Sequence, residues 1–341
     1  MLQLYYMLKD KIRDTIKKFN MINSGESVIV AVSGGPDSMT LLSVLLDLKE
    51  EYNLKLYVAH VNHGIRENAN IDEKYVKDYC YKNGIECFIK VADVVKMANE
   101  EKKGVEEAGR KVRYNFFEEV MKKTGADKVA IAHNFNDNAE TIIMNMLRGS
   151  GISGLKGIEP KRGIYIRPLI EVAREEIERY CEEKELNPRH DESNDDNSYT
   201  RNKIRNIVIP YLKREFNPNI VEVLNRLAEI VKEEEKYMEK ETAQAFEEIL
   251  ESQCDEKIEF NVRKFNAKET IIQKRLILLG INKTVGTVQG IEKINLEDII
   301  KLCNNNIGNK YLTPNKSVKI GIENKKIYIM KQKWPKIKEN H

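Results

Sequence analysis

The chain has 341 residues, with 57 Lys and Arg against 54 Asp and Glu, a net charge of +3. Such a balance is too weak by itself to argue for a nucleic-acid partner, and no apolar run approaches the ~20 residues of a membrane span. At 41% hydrophobic and 33% charged residues, the composition suits a soluble globular protein of roughly two or three domains.

Met1–Asp10 turns charged and helical too soon for a secretory signal. Five cysteines lie apart with no C-x-x-C pair, which indicates neither a disulfide framework nor a zinc site and favours a reduced, cytoplasmic setting. Ser27–Val32 reads as a buried strand that ends in Ser33-Gly34-Gly35-Pro36-Asp37-Ser38 and opens into a helix over Ser38–Glu51. A helix start exposes unpaired N–H groups and a partial positive charge, so this turn is suited to phosphate. The glycines let backbone approach closely, and Ser33 and Ser38 add hydroxyls. The common GxxxxGK[ST] loop is absent.

Strand and helix patterns then alternate: strand Leu54–His60, helix Ala69–Asn83, strand Glu86–Val91, helix Glu106–Thr124 stopped by Gly125, strand Lys128–Ala132, helix Asn136–Arg148, strand Ile164–Pro168 and helix Arg174–Glu185. This alternation predicts an α/β fold with a parallel sheet covered on both faces. Ligands of such sheets sit at the carboxyl ends of strands, where the polar clusters Ser33–Ser38, His60–Arg66 and His133–Glu140 fall.

Beyond Leu186 the texture changes. Asn187–Thr200 is polar and turn-rich, and Arg201–Arg214 holds five basic residues and no acidic one. Ile220 to about Leu250 reads as one long helix with a Glu-rich second half. Its apolar seam leaves two packings open, on its own domain or on a second copy in a homodimer. Cys254–Lys257 looks like a linker, Ile258–Val285 like a strand and a helix, Leu296–Cys303 like a short helix, and Lys319–Met330 like a hairpin turning at Asn324-Lys325. The tail from Lys310 to Glu339 carries nine lysines against two glutamates, with Tyr311, Tyr328 and Trp334. That mixture suits a phosphate backbone and its bases, or equally a lysine-protected edge strand. The expected division is a catalytic domain at 1–215, a helical linker at 216–253 and a small α+β domain at 254–341.

The Ser-Gly-Gly-x-Asp-Ser order resembles the pyrophosphate loop (PP-loop) of the N-type ATP pyrophosphatases, which split ATP between its α and β phosphates. The combination of Ser33–Ser38 with Ala59-His-Val-Asn-His-Gly-Ile-Arg66, Glu107-Ala-Gly-Arg-Lys-Val-Arg-Tyr114, Ala132-His-Asn-Phe-Asn-Asp-Asn-Ala-Glu-Thr141, Leu147-Arg-Gly-Ser-Gly151, Ile166-Arg-Pro-Leu169, Asp191-Glu-Ser-Asn194 and Tyr199-Thr-Arg-Asn-Lys-Ile-Arg205 resembles one family within them, the bacterial tRNA(Ile)-lysidine synthetases. The likeness covers about residues 25–215 and implies a Rossmann-like PP-loop domain. It implies a ligase that adenylates C2–O of the wobble cytidine of an isoleucine tRNA with a CAU anticodon, and then lets the amine of free L-lysine displace AMP. It implies ATP as substrate and Mg²⁺ as cofactor.

On that resemblance Ser33, Gly34, Gly35 and Ser38 hold the β and γ phosphates, Asp37 holds Mg²⁺, and His133 donates to the α-phosphate. Asp137 and Glu140 share a helix face by their spacing. One would complete the metal site and the other orient lysine or take a proton, and spacing does not choose; Glu140 joins Asp37 as the expected metal pair. Arg66, Arg110 and Arg113 would neutralise phosphate, with Arg113 among the ATP ligands. Arg148 and Gly149 would line the cleft, and His60 and His63 would belong to the nucleotide cleft. Arg201, Lys203 and Arg205 are expected to take tRNA phosphates.

Two departures stand out. Asn134 and Asn136 occupy positions where many members have a His and an Asp, so neither side chain can carry charge, though both still accept hydrogen bonds. The chain also resembles a shorter form of the family, with one small domain after the linker helix. The rival readings are a related tRNA thiolation enzyme, an ammonia-using amidotransferase of the NAD synthetase kind, and an ATP-binding regulatory module without catalysis.

Overall fold

The computed structural model describes residues 2–62, 69–102, 104–189, 196–305 and 310–332, with the side chains of 2–6, 69 and 106 left aside. His63, Arg66, the Asp191–Asn194 motif and Trp334 lie outside the described residues. Two compact units divide at Val231 and Lys232, within one helix.

In chain order the first unit contains α1 (Leu2–Lys18), β1 (Ser27–Ala31), α2 (Pro36–Asp47), β2 (Lys55–Asn62), α3 (Ala69–Lys82), β3 (Glu86–Val91), α4 (Val94–Glu101), α5 (Val105–Thr124), β4 (Lys128–Ala130), α6 (Phe135–Leu147), α7 (Gly151–Gly154), β5 (Lys161–Arg162), β6 (Tyr165–Ile166), α8 (Arg174–Glu183), α9 (Thr200–Lys203) and α10 (Ile209–Glu215). A π-helical turn, Ile204–Val208, joins the last two. The long helix α11 (Ile220–Ile249) follows.

The strands form one sheet in the order β3-β2-β1-β4-β6-β5, parallel except for the final β5–β6 pair. Period-two burial explains the layering. Val28 and Val30 enter a core with Leu41, Leu45 and Ile177, whereas Ile29 enters another with Phe116, Phe117 and Val129. The sheet is therefore covered on both faces, as the alternating pattern predicts. Strand order reverses between β1 and β4, and the crevice at such a switch point is the usual ligand position. The PP-loop leaves β1 and the His133 turn leaves β4, so the two motifs meet there.

The second unit closes a five-stranded antiparallel sheet in the order β7 (Leu250–Cys254), β8 (Lys257–Asn261), β11, β10, β9. The last three are β9 (Tyr311–Asn315), β10 (Val318–Glu323) and β11 (Lys326–Lys331). Helices α12 (Val262–Asn266), α13 (Thr270–Val285) and α14 (Lys293–Asn304) complete the unit. Phe246, Phe260 and Phe265 anchor its core, with Phe246 meeting Phe260 edge-on at 5.2 Å. The β10–β11 turn falls at Asn324-Lys325, both with positive φ, as the hairpin reading expects.

The linker expected at Cys254–Lys257 is instead the tight end of the β7–β8 hairpin. Strand β7 is an exposed, largely polar edge strand, so no apolar alternation advertised it. Strand β9 escaped for a related reason, since it carries Pro314, which edge strands tolerate. Among the described residues no helix is long and apolar enough to cross a membrane.

Candidate active site

The PP-loop is folded around one hydroxyl. Ser38 Oγ accepts from the N–H groups of Ser33 and Gly34, at 3.1 and 3.2 Å, and donates to the Gly35 carbonyl at 3.0 Å. Ser33 Oγ lies 3.2 Å from it. Gly34 has φ +96°, a conformation that side chains rarely adopt. Gly35 is the N-cap and Pro36 supplies the first turn of α2, where its missing N–H costs nothing. The result is a concave run of backbone and hydroxyls at a helix start.

Asp37 stands in that first turn. Its Oδ1 accepts from Asn134 Nδ2 at 2.8 Å. Burial, reinforced by the neighbouring Asp137 charge, raises its carboxyl to about 6. A carboxylate that resists ionisation in this way is suited to a cation.

Across the crevice, α6 begins with a capping box. Asn134 Oδ1 accepts from the Asp137 N–H at 2.9 Å, and Asp137 Oδ2 accepts from the Asn134 N–H at 3.0 Å. One amide side chain thus caps a helix with its oxygen and holds Asp37 with its nitrogen. The next carboxylate on the same face, Glu140, is 2% exposed. Arg201 Nη2 and Arg205 Nη2 both donate to Asp137 Oδ1 at 2.9 Å. Arg201 Nε donates to Glu140 Oε2 at 2.9 Å, while Arg205 reaches Oε1 at 2.5 Å and Oε2 at 2.9 Å. Burial alone would raise Asp137, but Arg201, His133 and Arg205 outweigh it and hold the carboxyl below its ordinary value.

His133 ends β4. Its Nδ1 accepts from Arg167 Nε at 3.2 Å, so its ring proton resides on Nε2. Burial, together with Arg201, Arg167 and Arg113, outweighs Asp137 and lowers the imidazole to about 3. A cleft of about 520 Å³ opens beside the loop, lined among others by Ser33, Asp37, Ser38, Arg174, Arg189 and Arg205.

Residues 7–212 match the family model of the PP-loop domain. The chain is 44% identical to a tRNA(Ile)-lysidine synthase of Clostridium acetobutylicum, over 91% of this chain and 67% of the relative. It is 42% identical to that of Clostridium tetani, over 91% and 66%. The chain belongs to the tRNA(Ile)-lysidine synthase family. It spans about two thirds of the length of these curated relatives. A U34-tRNA thiolase from Methanococcus maripaludis, 21% identical, shares the fold at TM-score 0.55 over 68% of this chain and 81% of that one.

In the crevice, Ser33, Gly34, Gly35, Asp37 and Ser38 converge with Asn134 and Asp137. Arg201 and Arg205, expected at tRNA phosphates, turn inward to the carboxylates, while Lys203 alone of the three is exposed. The physical reason is spacing: four residues apart on one helical face, both guanidiniums reach the same pair of acids. The expected Asp37–Glu140 metal pair is altered for the same reason, since both Glu140 oxygens are occupied by guanidinium. Among the described residues no three His, Cys, Asp or Glu side chains are grouped to hold a metal. Arg110 is exposed and its guanidinium lies 4.8 Å from the Tyr114 ring centre, with its charge felt at Arg167, the partner of His133. Arg113 is exposed yet close enough for its charge to act on His133. Arg148 and Gly149 cap α6 at the surface.

His60 is 3% exposed, and Nδ1 donates to the Val32 carbonyl at 2.8 Å. It braces the strand end from which the loop departs. Three residues went unassigned in the sequence. Arg167 lies within the Ile166–Leu169 motif and is 4% exposed; a buried arginine needs an acceptor, and that was its available signal. The Arg189 backbone N–H donates to the Gly34 carbonyl at 2.9 Å, and the Arg174 backbone N–H donates to Asn136 Oδ1 at 3.1 Å. Neither contact leaves a local trace in sequence.

Proposed function

We propose that this chain joins free L-lysine to C2 of the wobble cytidine in an isoleucine tRNA with a CAU anticodon, converting ATP to AMP and pyrophosphate. The observation that carries the reading is the 2.8 Å link from Asn134 to Asp37, which couples the phosphate loop after β1 to the carboxylates of α6. Family membership supports the chemistry, and the crevice supports its location.

In the first step the cytidine C2 oxygen attacks the α-phosphorus, an O–P bond forms, the α–β bridge breaks and pyrophosphate leaves. Ser33, Ser38 and the α2 N-terminus stabilise the departing charge. Asp37 would hold Mg²⁺, which takes one or two carboxylates together with substrate phosphates and neutralises their charge when bound. His133 offers a neutral Nε2–H to the α-phosphate. In the second step the neutral lysine amine attacks C2, a C–N bond forms, and the C–O bond breaks with AMP as leaving group. The attacking nitrogen passes its surplus proton to water as AMP departs, and the arginine-covered Asp137–Glu140 face of α6 walls the crevice in which the amine is held. Cytosine C2 is a weak electrophile until its oxygen becomes a leaving group, so adenylation must come first.

The test is transfer of radiolabelled lysine into unmodified isoleucine tRNA with ATP and Mg²⁺, beside methionine tRNA with the same anticodon and an Asp37→Ala control. ATP-dependent labelling of the isoleucine tRNA alone, lost in the control, is the expected result. Pyrophosphate release without lysine transfer would sink the reading. Thiolation is disfavoured by the cleft's own cysteine: Cys181 is 4% exposed and burial raises its thiol, which leaves it inert.

A further inference from the structure

The segment that walls the carboxylates has a second face. Arg201 and Arg205 point inward from α9 and the π-helical turn, and Ile204, Val208, Ile209 and Leu212 pack against α6 and the start of α11. Outward, Ile207 is 50%, Tyr211 49% and Phe216 72% exposed. Tyr211 meets Phe216 edge-on at 5.9 Å, and the Arg214 guanidinium lies 5.7 Å from the Tyr211 ring centre. Lys203 is exposed on the same stretch. Between residues 200 and 216 the only carboxylate is Glu215, paired with Arg214.

We infer that this outward face, centred on Tyr211 and Phe216, is a stacking platform for RNA nucleotides that flank the base undergoing reaction. The inference rests on the proposed tRNA activity. A base that enters the crevice must leave its stack, which exposes the faces of its neighbours. Aromatic side chains receive such faces whatever the base, and nearby cations hold the backbone. Tyr211 lies six residues past Arg205, about 9 Å along a helix. The crevice wall and the outward aromatic face are thus two sides of one short segment, so a strand that places one base in the crevice carries its neighbours past this segment. An apolar partner protein is the competing occupant, but exposed Lys203 and the Arg214 guanidinium beside the Tyr211 ring favour phosphate.

The experiment uses the full chain with an isoleucine tRNA transcript carrying the CAU anticodon. Binding is read by fluorescence anisotropy, ATP binding by calorimetry and mass by light scattering, for Tyr211→Ala, Phe216→Ala and Tyr211→Trp. Each Ala variant is expected to weaken tRNA binding about tenfold, with ATP affinity and mass unchanged, and Tyr211→Trp to retain binding. A transcript with abasic residues beside the wobble position is expected to erase the difference between Tyr211→Ala and the unsubstituted chain. Unchanged tRNA affinity in both Ala variants overturns the platform, and so does a loss of mass in place of RNA affinity. If the unsubstituted chain binds this tRNA with the Tyr211 dependence but transfers no lysine, the platform stands and the proposed activity falls.

Discussion

Glu140→Gln tests the logic of the carboxylate–arginine cluster, because two views of it predict opposite signs. If the acids of α6 formed a cation site held in mutual repulsion with Asp37, neutralising one would stabilise the ligand-free protein. In the structure the two acids are already matched by two guanidiniums. Glu140, 2% exposed, accepts three charge-assisted hydrogen bonds from Arg201 and Arg205. Glutamine leaves two positive charges facing Asp137 alone and sets an amide NH₂ against a guanidinium donor. Breaking a buried pair costs about 3–5 kcal/mol; the arginines here are 24% and 23% exposed, which places the expected loss near ~2–3 kcal/mol. For a unit of this size, each kcal/mol lowers Tm by roughly 2–4 °C, so a fall of about 5–10 °C is expected. Differential scanning calorimetry without nucleotide measures it. A double-mutant cycle with Arg205→Met should recover a coupling of at least ~1 kcal/mol. An unchanged or raised Tm, or additive single losses, would refute the cluster as the element that makes these acids tolerable.

Three further outcomes follow from single contacts. Asn134→Ser keeps an N-cap acceptor but loses the donor to Asp37; stability should stay within ~1 kcal/mol of the unsubstituted chain while lysine transfer falls roughly ten- to hundredfold, and a stability loss with activity intact would contradict the coupling. His133 is neutral when folded, with its imidazole at about 3, and recovers an ordinary value near ~6.5 when unfolded. The unfolded chain then binds the extra proton between those values, so stability present above the upper one is lost as pH falls toward the lower, by up to ~1.4 kcal/mol per pH unit. His133→Gln should remove that contribution in denaturant titrations and leave the opposite slope of Asp37, whose raised carboxyl favours the folded chain as pH falls below about 6. Gly34→Ala has ordinary room, with Val76 at 3.6 Å, but φ is +96°; a loss of ~1–2 kcal/mol is expected from backbone strain alone, checked by urea unfolding, and a neutral result would mean the loop relaxes.

Much of the fold was legible because its signals are local. Apolar β-branched runs at β1 and β2, the Gly125 stop of α5 and the Asn-Lys turn of the second sheet are read from neighbours in the chain. Expected boundaries mostly fell within a few residues of the observed elements. The second unit was less readable at its edges, since β7 and β9 are paired on one side only and carry polar residues and a proline.

The sequence by itself determined the strand–turn–helix phosphate loop, the i, i+3 placement of Asp137 and Glu140, and family membership, all properties of short-range order. Tertiary structure alone decided who partners whom. The 97-residue span between Asp37 and Asn134 and the 65-residue span between Glu140 and Arg205 are closed by the sheet and by the packing of α9 and α10 on α6. That closure turned two arginines from expected RNA ligands into counter-ions of the crevice. The physical reason is desolvation: a carboxylate taken from water demands a partner, and the fold supplies whichever cation its topology brings within reach.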